Sequence, residues 1–444
     1  MVLENIKGQL LSGEKKVGVW GTGYIGYSTM ANFAFNGVKC IGMDVIQEKV
    51  DTINRGLIPI ENFEKWLGFD VKPLVDNGLL RATTEWKELL KADVAVHMIA
   101  IPTEKDGKPY DAILEDVVKK ISSYKAGGEP PLVIIESTLT PGRTDNVVIP
   151  IFEKAGLKVG KDILLGVAPR RDWFISPEKS LKNLPRIIGG TTQETTKFMK
   201  DALSIICDSL IPAPDHKHAE MIKSIENAYR HAEITLANQL SLAYPEIDMK
   251  EVLRLVGTKW NIGTYFPSFG TGGYCIPLSS QYVLLGAKNP EQLTILRSAI
   301  ETDSKQPFVV ADSIAKRGCR KAGILGLAYK GDIKVDILSP TIKIAQRLKE
   351  KGISVKIHDP LYTEQEIRKI TGCETFKFPE GLQEFDAILL VADHQIYRFT
   401  PNTVVLSNLK KCKVVLDNTG IWKDIDFEKT RVEYHIAGDK RWLL

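Results

Sequence analysis

Cys275 sits late in the stretch "FGTGGYCIPLSS" (residues 269–280), where three glycines crowd ahead of a single thiol. Two chemistries fit that pattern. A Gly-rich turn can run into a sulfur that only packs, or it can hold a thiolate nucleophile against a substrate. A nucleophile needs a cation that favours the thiolate and groups that stabilise the oxyanion it creates. Lys223 and Asn227 stand at i and i+4 on a long helical pattern, so they share one face about 6 Å apart along the axis. The same pair also reads as ordinary solvated surface. A second stretch with chemical meaning is "GTGYIG" (residues 21–26), whose glycines permit a tight turn and a close backbone approach to a pyrophosphate.

These residues need elements to position them. "KVGVW" reads as a strand, "YSTMANFAFNG" as a helix stopped by Gly37, and "KCIGMD" as a second strand ending on Asp44. The acid lies 18 residues after Gly26, at the end of the second strand, where it accepts hydrogen bonds from an adenosine ribose and favours NAD over NADP. "DVAVHMIAIPT" and "PLVIIEST" are buried-type strands that end in hydroxyl residues, and "DILLGVAP" and "RIIGG" come later. Thr103 and Thr138 fall beyond strand carboxyl ends, as ligand contacts or as helix caps. "HAEMIKSIENAYRHAEITLANQLSLAYPEI" carries no Gly or Pro until Pro245 and reads as one helical spine with an apolar face suited to a second copy. From about residue 321 a second β-α-β alternation begins without G-x-G-x-x-G, so it should bind something other than a second dinucleotide.

Bulk properties set the class. A chain of 444 residues exceeds one core and suggests two or three domains. Lys plus Arg (59) against Asp plus Glu (55) gives +4, too mild to argue for nucleic acid. No apolar h-region opens the chain, and no run reaches a membrane span, so a cytoplasmic protein is expected. The six cysteines are scattered without metal-ligand spacing, so no metal site is expected.

The order of motifs resembles the UDP-glucose/GDP-mannose dehydrogenase family over nearly the whole chain. The residues carrying the resemblance are "GTGYIG" with Asp44, "IPT" (101–103), "ESTLTPG" (136–142), "AEMIKSIENAYR" (219–230), "PSFGTGGYCIP" (267–277), "GLAYKGD" (326–332) and "SP" (339–340). The resemblance implies an α/β fold with two Rossmann-like domains, each with a parallel sheet, joined by a long helical central segment. It divides the chain into an NAD-binding domain (1–215), a central dimerisation domain with the cysteine loop (216–315) and a nucleotide-sugar domain (316–444). It implies NAD as cofactor, a nucleotide sugar as substrate, and a homodimer. The reaction implied is a four-electron oxidation of the sugar C6 alcohol, with UDP-glucose favoured, through a thiohemiacetal and a thioester. Cys275 matches the nucleophile, Lys223 the oxyanion-stabilising lysine, Asn227 the asparagine that helps hold the reacting oxygen, and Thr138 the water-positioning threonine. The implied cofactor set is Gly21, Gly23, Tyr24, Ile25, Gly26, Asp44, Lys49, Thr103 and Thr138. The implied substrate set is Lys223, Asn227, Ser268, Gly270, Gly272, Tyr329 and Lys330.

The chain departs from the family where protons move. The family acid four residues after the cysteine is Ser279 here, preceded by Leu278. Arg170 stands in the slot of a glutamate implicated in thioester hydrolysis, with Asp172 two residues on as a substitute and Glu178 eight residues late. Ile337 and Asn261 replace two arginines. Three readings remain: a complete dehydrogenase with a re-sited base, one that stops early or takes an unusual sugar, and a non-catalytic binder of NAD and nucleotide sugar.

Overall fold

The computed structural model describes residues 5–60, 63–124, 129–172 and 179–444. Contacts divide the chain into two units, residues 1–226 with 285–288, and residues 227–284 with 289–444.

In the first unit, short apolar runs buried on both faces become strands β1 (Lys16–Trp20), β2 (Cys40–Met43), β3 (Leu80–Thr83), β4 (Val94–Ile99), β5 (Leu132–Ile135), β6 (Leu164–Val167), β7 (Arg186–Gly190) and β8 (Leu210–Pro212). They form one sheet in the order β8-β7-β6-β5-β4-β1-β2-β3. Alternate side chains feed opposite cores: Leu132 and Ile134 enter one apolar cluster, and Val133 and Ile135 the other. The central order 3-2-1-4-5-6 is that of a doubly wound dinucleotide fold. The expectation of a parallel sheet needs one correction. β7 runs antiparallel to β6, and β8 then pairs with β7 in parallel. Helix α1 (Tyr24–Phe35) opens a few residues after β1.

Helix α2 (His216–Ala243) is a single element of 28 residues, and the division between units falls within it, after Glu226. In the second unit, α3 (Ile276–Gly286) starts directly after Cys275, and α4 (Thr294–Lys316) carries Pro307 inside it. Helix α5 (Pro340–Glu350) is capped by Ser339, whose hydroxyl accepts from Thr341 N. Strands β9 (Lys321–Leu325), β10 (Ser354–His358), β11 (Glu374–Thr375), β12 (Ala387–Leu390), β13 (Val414–Asp417) and β14 (Glu433–Ile436) form an all-parallel sheet ordered β11-β10-β9-β12-β13-β14. This is again 3-2-1-4-5-6, with Ile324 and Leu389 on one core face and Leu325 and Ile388 on the other. Among the described residues, no helix is long and apolar enough to cross a membrane.

Candidate active site

The turn after β1 has three glycines with different reasons to be glycine. Gly21 has φ +88°, a left-handed conformation that favours glycine, and a Cβ there would lie 2.5 Å from Ala100 O. A Cβ on Gly26 would stand 1.9 Å from Gly21 O, so the first turn of α1 packs directly on the loop. Gly23 caps α1 with φ −72°, and a Cβ there would meet nothing within 4 Å. Protein packing therefore demands glycine at 21 and 26, while the space over Gly23 is open at a helix N-terminus, where N–H groups favour a phosphate. Tyr24 and Ile25 open the helix, with Tyr24 set edge-on to Phe63.

Asp44 comes directly after β2 and is buried. Its Oδ2 accepts from Thr22 N (3.0 Å) and Thr22 Oγ1 (2.7 Å), and its Oδ1 from Ile46 N (3.1 Å). Lys49 Nζ lies 3.7 Å from Oδ2. Burial alone would raise the Asp44 pKa, but these donors and Lys49 outweigh it and hold the carboxyl below its ordinary range. An anionic acceptor thus stands beside the open turn, as a dinucleotide ribose requires. Thr103 and Thr138, after β4 and β5, cap no helix among the described residues. The Thr103 hydroxyl instead donates to Thr138 O (2.7 Å), tying the two strand ends together.

Arg170, which stands in the slot of the family glutamate, is buried and fully committed. It donates bidentately to Asp172 (2.7 and 2.6 Å) and also to Thr29 Oγ1 (2.7 Å). Thr29 in turn donates to Glu136 (2.8 Å), which also accepts from Arg186 (2.5 Å). Burial would raise the Asp172 pKa, yet Arg170 prevails and holds it low. Asp172 therefore serves a buried ion pair that fastens α1 to the sheet, and it is not a free base. Glu178 lies outside the described residues.

In the second unit the loop that carries Cys275 is wired residue by residue. Ser268 N donates to Asn238 Oδ1 (2.7 Å), Phe269 N to Asn418 Oδ1 (2.8 Å) and Gly273 N to Ile337 O (2.8 Å). Gly270 N reaches Ser268 Oγ at 3.3 Å, and Gly270 has φ +125°. Cβ atoms on Gly272 and Gly273 would lie 2.5 and 2.7 Å from Tyr329, so the tyrosine packs closely against the loop. Its neighbour Lys330 is held below the usual amine range, chiefly by burial, with Asp393 opposing and Arg230 adding to the shift. Of the six cysteines, Cys275 alone is not buried. On α2, Lys223 is half-buried and Asn227 buried, one turn apart. Asn227 Nδ2 donates to Ser279 Oγ (3.1 Å), and Ser279 N donates to Cys275 O (3.1 Å).

The NAD binding domain of the UDP-glucose/GDP-mannose dehydrogenase family matches residues 15–205, the central domain 217–305 and the UDP binding domain 323–424. The chain is 30% identical over 437 residues to a UDP-N-acetyl-D-mannosamine dehydrogenase of Methanocaldococcus jannaschii, covering 96% of this chain and 97% of that one. The chain belongs to the UDP-glucose/GDP-mannose dehydrogenase family. A UDP-N-acetyl-D-mannosamine dehydrogenase of Salmonella typhi is likewise 30% identical, across 92% of this chain and 99% of its own. Among solved structures, a UDP-D-ManNAc dehydrogenase from Pyrococcus horikoshii superposes with a TM-score of 0.83 at 25% identity, covering 97% of this chain and 100% of that one. NAD is the cofactor of this family member, and Gly21, Gly23, Gly26 and Asp44 form a cradle that fits it.

Two further groups at the cysteine loop escape a reading of the sequence alone. His231 and Asp303 are buried, and each bonds to one flank of the loop. A signal for His231 exists, because it stands one helical turn after Asn227 on the same face. Asp303 carries no local signal.

Proposed function

We propose that this dehydrogenase oxidises the C6 hydroxyl of a UDP-N-acetylhexosamine, of the UDP-N-acetyl-D-mannosamine kind, to the uronic acid. The observation that carries the reading is end-to-end similarity to dehydrogenases of that name, joined to a single accessible cysteine on an immobilised loop. The relatives' names do not single out UDP-glucose, which becomes the competitor substrate to test. NAD, when bound, accepts the hydride in each of the two oxidations.

The chain's own groups do the rest. Residues 1–215 hold the cofactor through Gly21, Gly23, Tyr24, Ile25, Gly26, Asp44, Lys49, Thr103 and Thr138. Residues 316–444 hold the nucleotide, with Tyr329 and Lys330 as contacts, and the 216–315 segment adds Ser268, Gly270 and Gly272. The alcohol loses a proton and a hydride to become an aldehyde. The Cys275 sulfur then adds to the carbonyl carbon, and the oxygen takes a proton, giving a thiohemiacetal. Loss of a second hydride and that proton leaves a thioester. Water, positioned by Thr138, releases the carboxylate and returns the thiol. Lys223 and Asn227 stabilise the oxyanion at each tetrahedral stage. We also assign the protein to the cytoplasm, consistent with six free thiols, and to a homodimer, consistent with exposed Tyr229, Leu236 and Tyr244.

A second reading is favoured by two observations. Ser279 replaces the family acid, and Asp172 is tied to Arg170. An enzyme without either base is slow to take the proton from the thiohemiacetal hydroxyl, so the second hydride transfer fails and the product is the aldehyde. Counting NADH per sugar separates the two readings: two support the uronic acid product, and one supports partial oxidation. Cys275→Ser should lose the second oxidation altogether, and full uronic acid output from that variant would sink the nucleophile assignment.

A further inference from the structure

His231 joins the two flanks of the cysteine loop through a buried polar chain. Its Nδ1 lies 2.9 Å from Ser280 Oγ, in the first turns of α3, five residues after Cys275. Its Nε2 faces Asp303 Oδ2 at 3.4 Å, a long contact that is electrostatic more than a full hydrogen bond. Asp303, on α4, accepts from Thr271 N (2.8 Å) and Thr271 Oγ1 (2.6 Å), four residues before Cys275. The loop on one side of the thiol and the helix on the other are therefore fastened to one imidazole.

The connectivity Ser280–His231–Asp303 is that of a hydrolase triad, but its chemistry is not. Ser280 is 0% exposed and His231 1%, so no substrate carbonyl reaches the hydroxyl. Asp303 faces Nε2, which places the proton there and leaves Nδ1 to accept from Ser280. Burial would raise the Asp303 pKa, but His231 and the two Thr271 donors prevail and keep it ionised. Around this imidazole, α3 presents Ser280 and α4 presents the carboxylate Asp303, while Asn227 on α2 turns to Ser279. The family keeps its carboxylate four residues after the cysteine. Here that position is a neutral serine, and the carboxylate bonded to the loop is Asp303 on α4, through Thr271 N and Oγ1.

We propose that His231, oriented by Asp303, is a positioning residue that fixes the thiol of Cys275 from both sides of its loop. The proposal rests on Cys275 being the nucleophile.

The test uses the whole enzyme and iodoacetamide, with every cysteine followed by peptide mass spectrometry. Cys40, Cys207, Cys319, Cys373 and Cys412 are buried and report unfolding. In His231→Leu, alkylation of Cys275 should rise about tenfold while the five buried thiols stay unlabelled, the scale expected when a buried hydrogen bond beside a charge is lost. kcat should fall by about as much, with KM for the sugar changed less than about threefold. His231→Asn, which restores a partner for Ser280, should recover most of both. If His231→Leu unfolds, all six thiols label, and Ser280→Ala, which removes one hydroxyl, decides instead. Cys275 labelling and kcat both within about twofold of wild type in a folded variant overturn the proposal. Labelling needs no sugar, so this outcome stands apart from failure of Cys275→Ser to stop uronic acid formation.

Discussion

The two sheets share one frame and use it for different ends. Each has the order 3-2-1-4-5-6, and each first strand runs into a glycine of positive φ, +88° at Gly21 and +101° at Gly326. Each of these glycines donates its N–H to the end of the second strand, Gly21 to Met43 O and Gly326 to His358 O, both at 2.8 Å. Each second strand leads to an aspartate that accepts from the turn. Asp44 takes Thr22 N and Oγ1, while Asp359 takes Leu327 N (2.8 Å) and Ala328 N (2.9 Å). Each aspartate also accepts from the N–H two residues on, Ile46 or Leu361.

They differ beyond the turn. After Gly21 the helix starts at Tyr24, so the turn is tight and its N–H groups remain beside open space at Gly23. After Gly326 the chain runs to α5 at Pro340, and the longer loop carries Tyr329 and Lys330. Asp359 is sealed inside by His394, which is 0% exposed, with Nε2 at 3.1 Å. His394 Nδ1 accepts from Asp332 N (3.0 Å), so the ring carries its proton on Nε2, toward Asp359. One aspartate is bonded to the turn that leaves open space at Gly23, and the other is consumed in anchoring a loop.

The strongest way to break this comparison is to add methyl groups to the tight turn. Gly26→Ala drives a Cβ to 1.9 Å from Gly21 O, a backbone atom that cannot swing aside. We expect a loss of about 3 kcal/mol or more in stability and no measurable NAD binding by calorimetry. Gly23→Ala should leave stability within about 0.5 kcal/mol, because its Cβ meets open space, yet weaken NAD at least about tenfold. Unchanged NAD affinity in Gly23→Ala would show that the open space is not the phosphate site.

Asparagine exchanges at the two aspartates come next in size. Asp359→Asn leaves one oxygen where two now accept, from Leu327 N, Ala328 N and His394 Nε2 on Oδ2 and from Leu361 N on Oδ1, so an NH2 group must face a donor. A cost of about 2–4 kcal/mol is expected by urea denaturation, with NAD affinity within about twofold of wild type. Asp44→Asn should cost about half as much, because the Thr22 hydroxyl can turn to suit the amide, but it should weaken NAD at least about tenfold. Equal losses of stability and of NAD affinity in the two variants would erase the distinction between the aspartates.

How much of this is legible in the sequence depends on the range of the forces involved. Gly21, Gly26 and Asp44 are readable because sterics within one β-α-β unit dictate them. The second sheet is readable as β-α-β, but the fate of Asp359 is not, since its partners lie at 327, 328 and 394. The antiparallel β7 is equally hidden, because "RIIGG" carries no mark of direction. At the cysteine loop, the helical period is legible for Asn227, which donates to Ser279 four residues after the cysteine. Asp303 does not announce itself, being far along the chain from His231 in a helix of ordinary composition. Asp172 as a free base is a reasonable expectation from position alone. Only the folded chain shows Arg170 closing on it with two hydrogen bonds.

Acid gives the smallest and most graded test. Asp44, Asp172, Asp303 and Asp359 are all held below the ordinary value of 3.8, with burial opposing and donors or cations prevailing. A carboxyl with a depressed folded pKa contributes stability that is complete above its unfolded pKa and lost as pH falls through the folded one. Stability should therefore decline below about pH 4, the unfolded range for aspartate. Glu220 and Asp439 have the opposite sign, because burial raises both. Their cost to the fold grows as pH rises from the unfolded value and levels off above the raised one, so acid relieves it in every variant alike. The acid limb is isolated by comparing variants by urea denaturation between about pH 6 and pH 3. Asp359→Asn starts lower but should lose less on acidification than wild type, because its contribution is already gone. Asp44→Asn should flatten the limb too, by a smaller amount, since the donors to Asp44 include a hydroxyl that can turn to serve a protonated acid. Parallel limbs for wild type and Asp359→Asn would mean that Asp359 is no more stabilised as a carboxylate in the fold than in the unfolded chain, and the anchoring role given to it would fall.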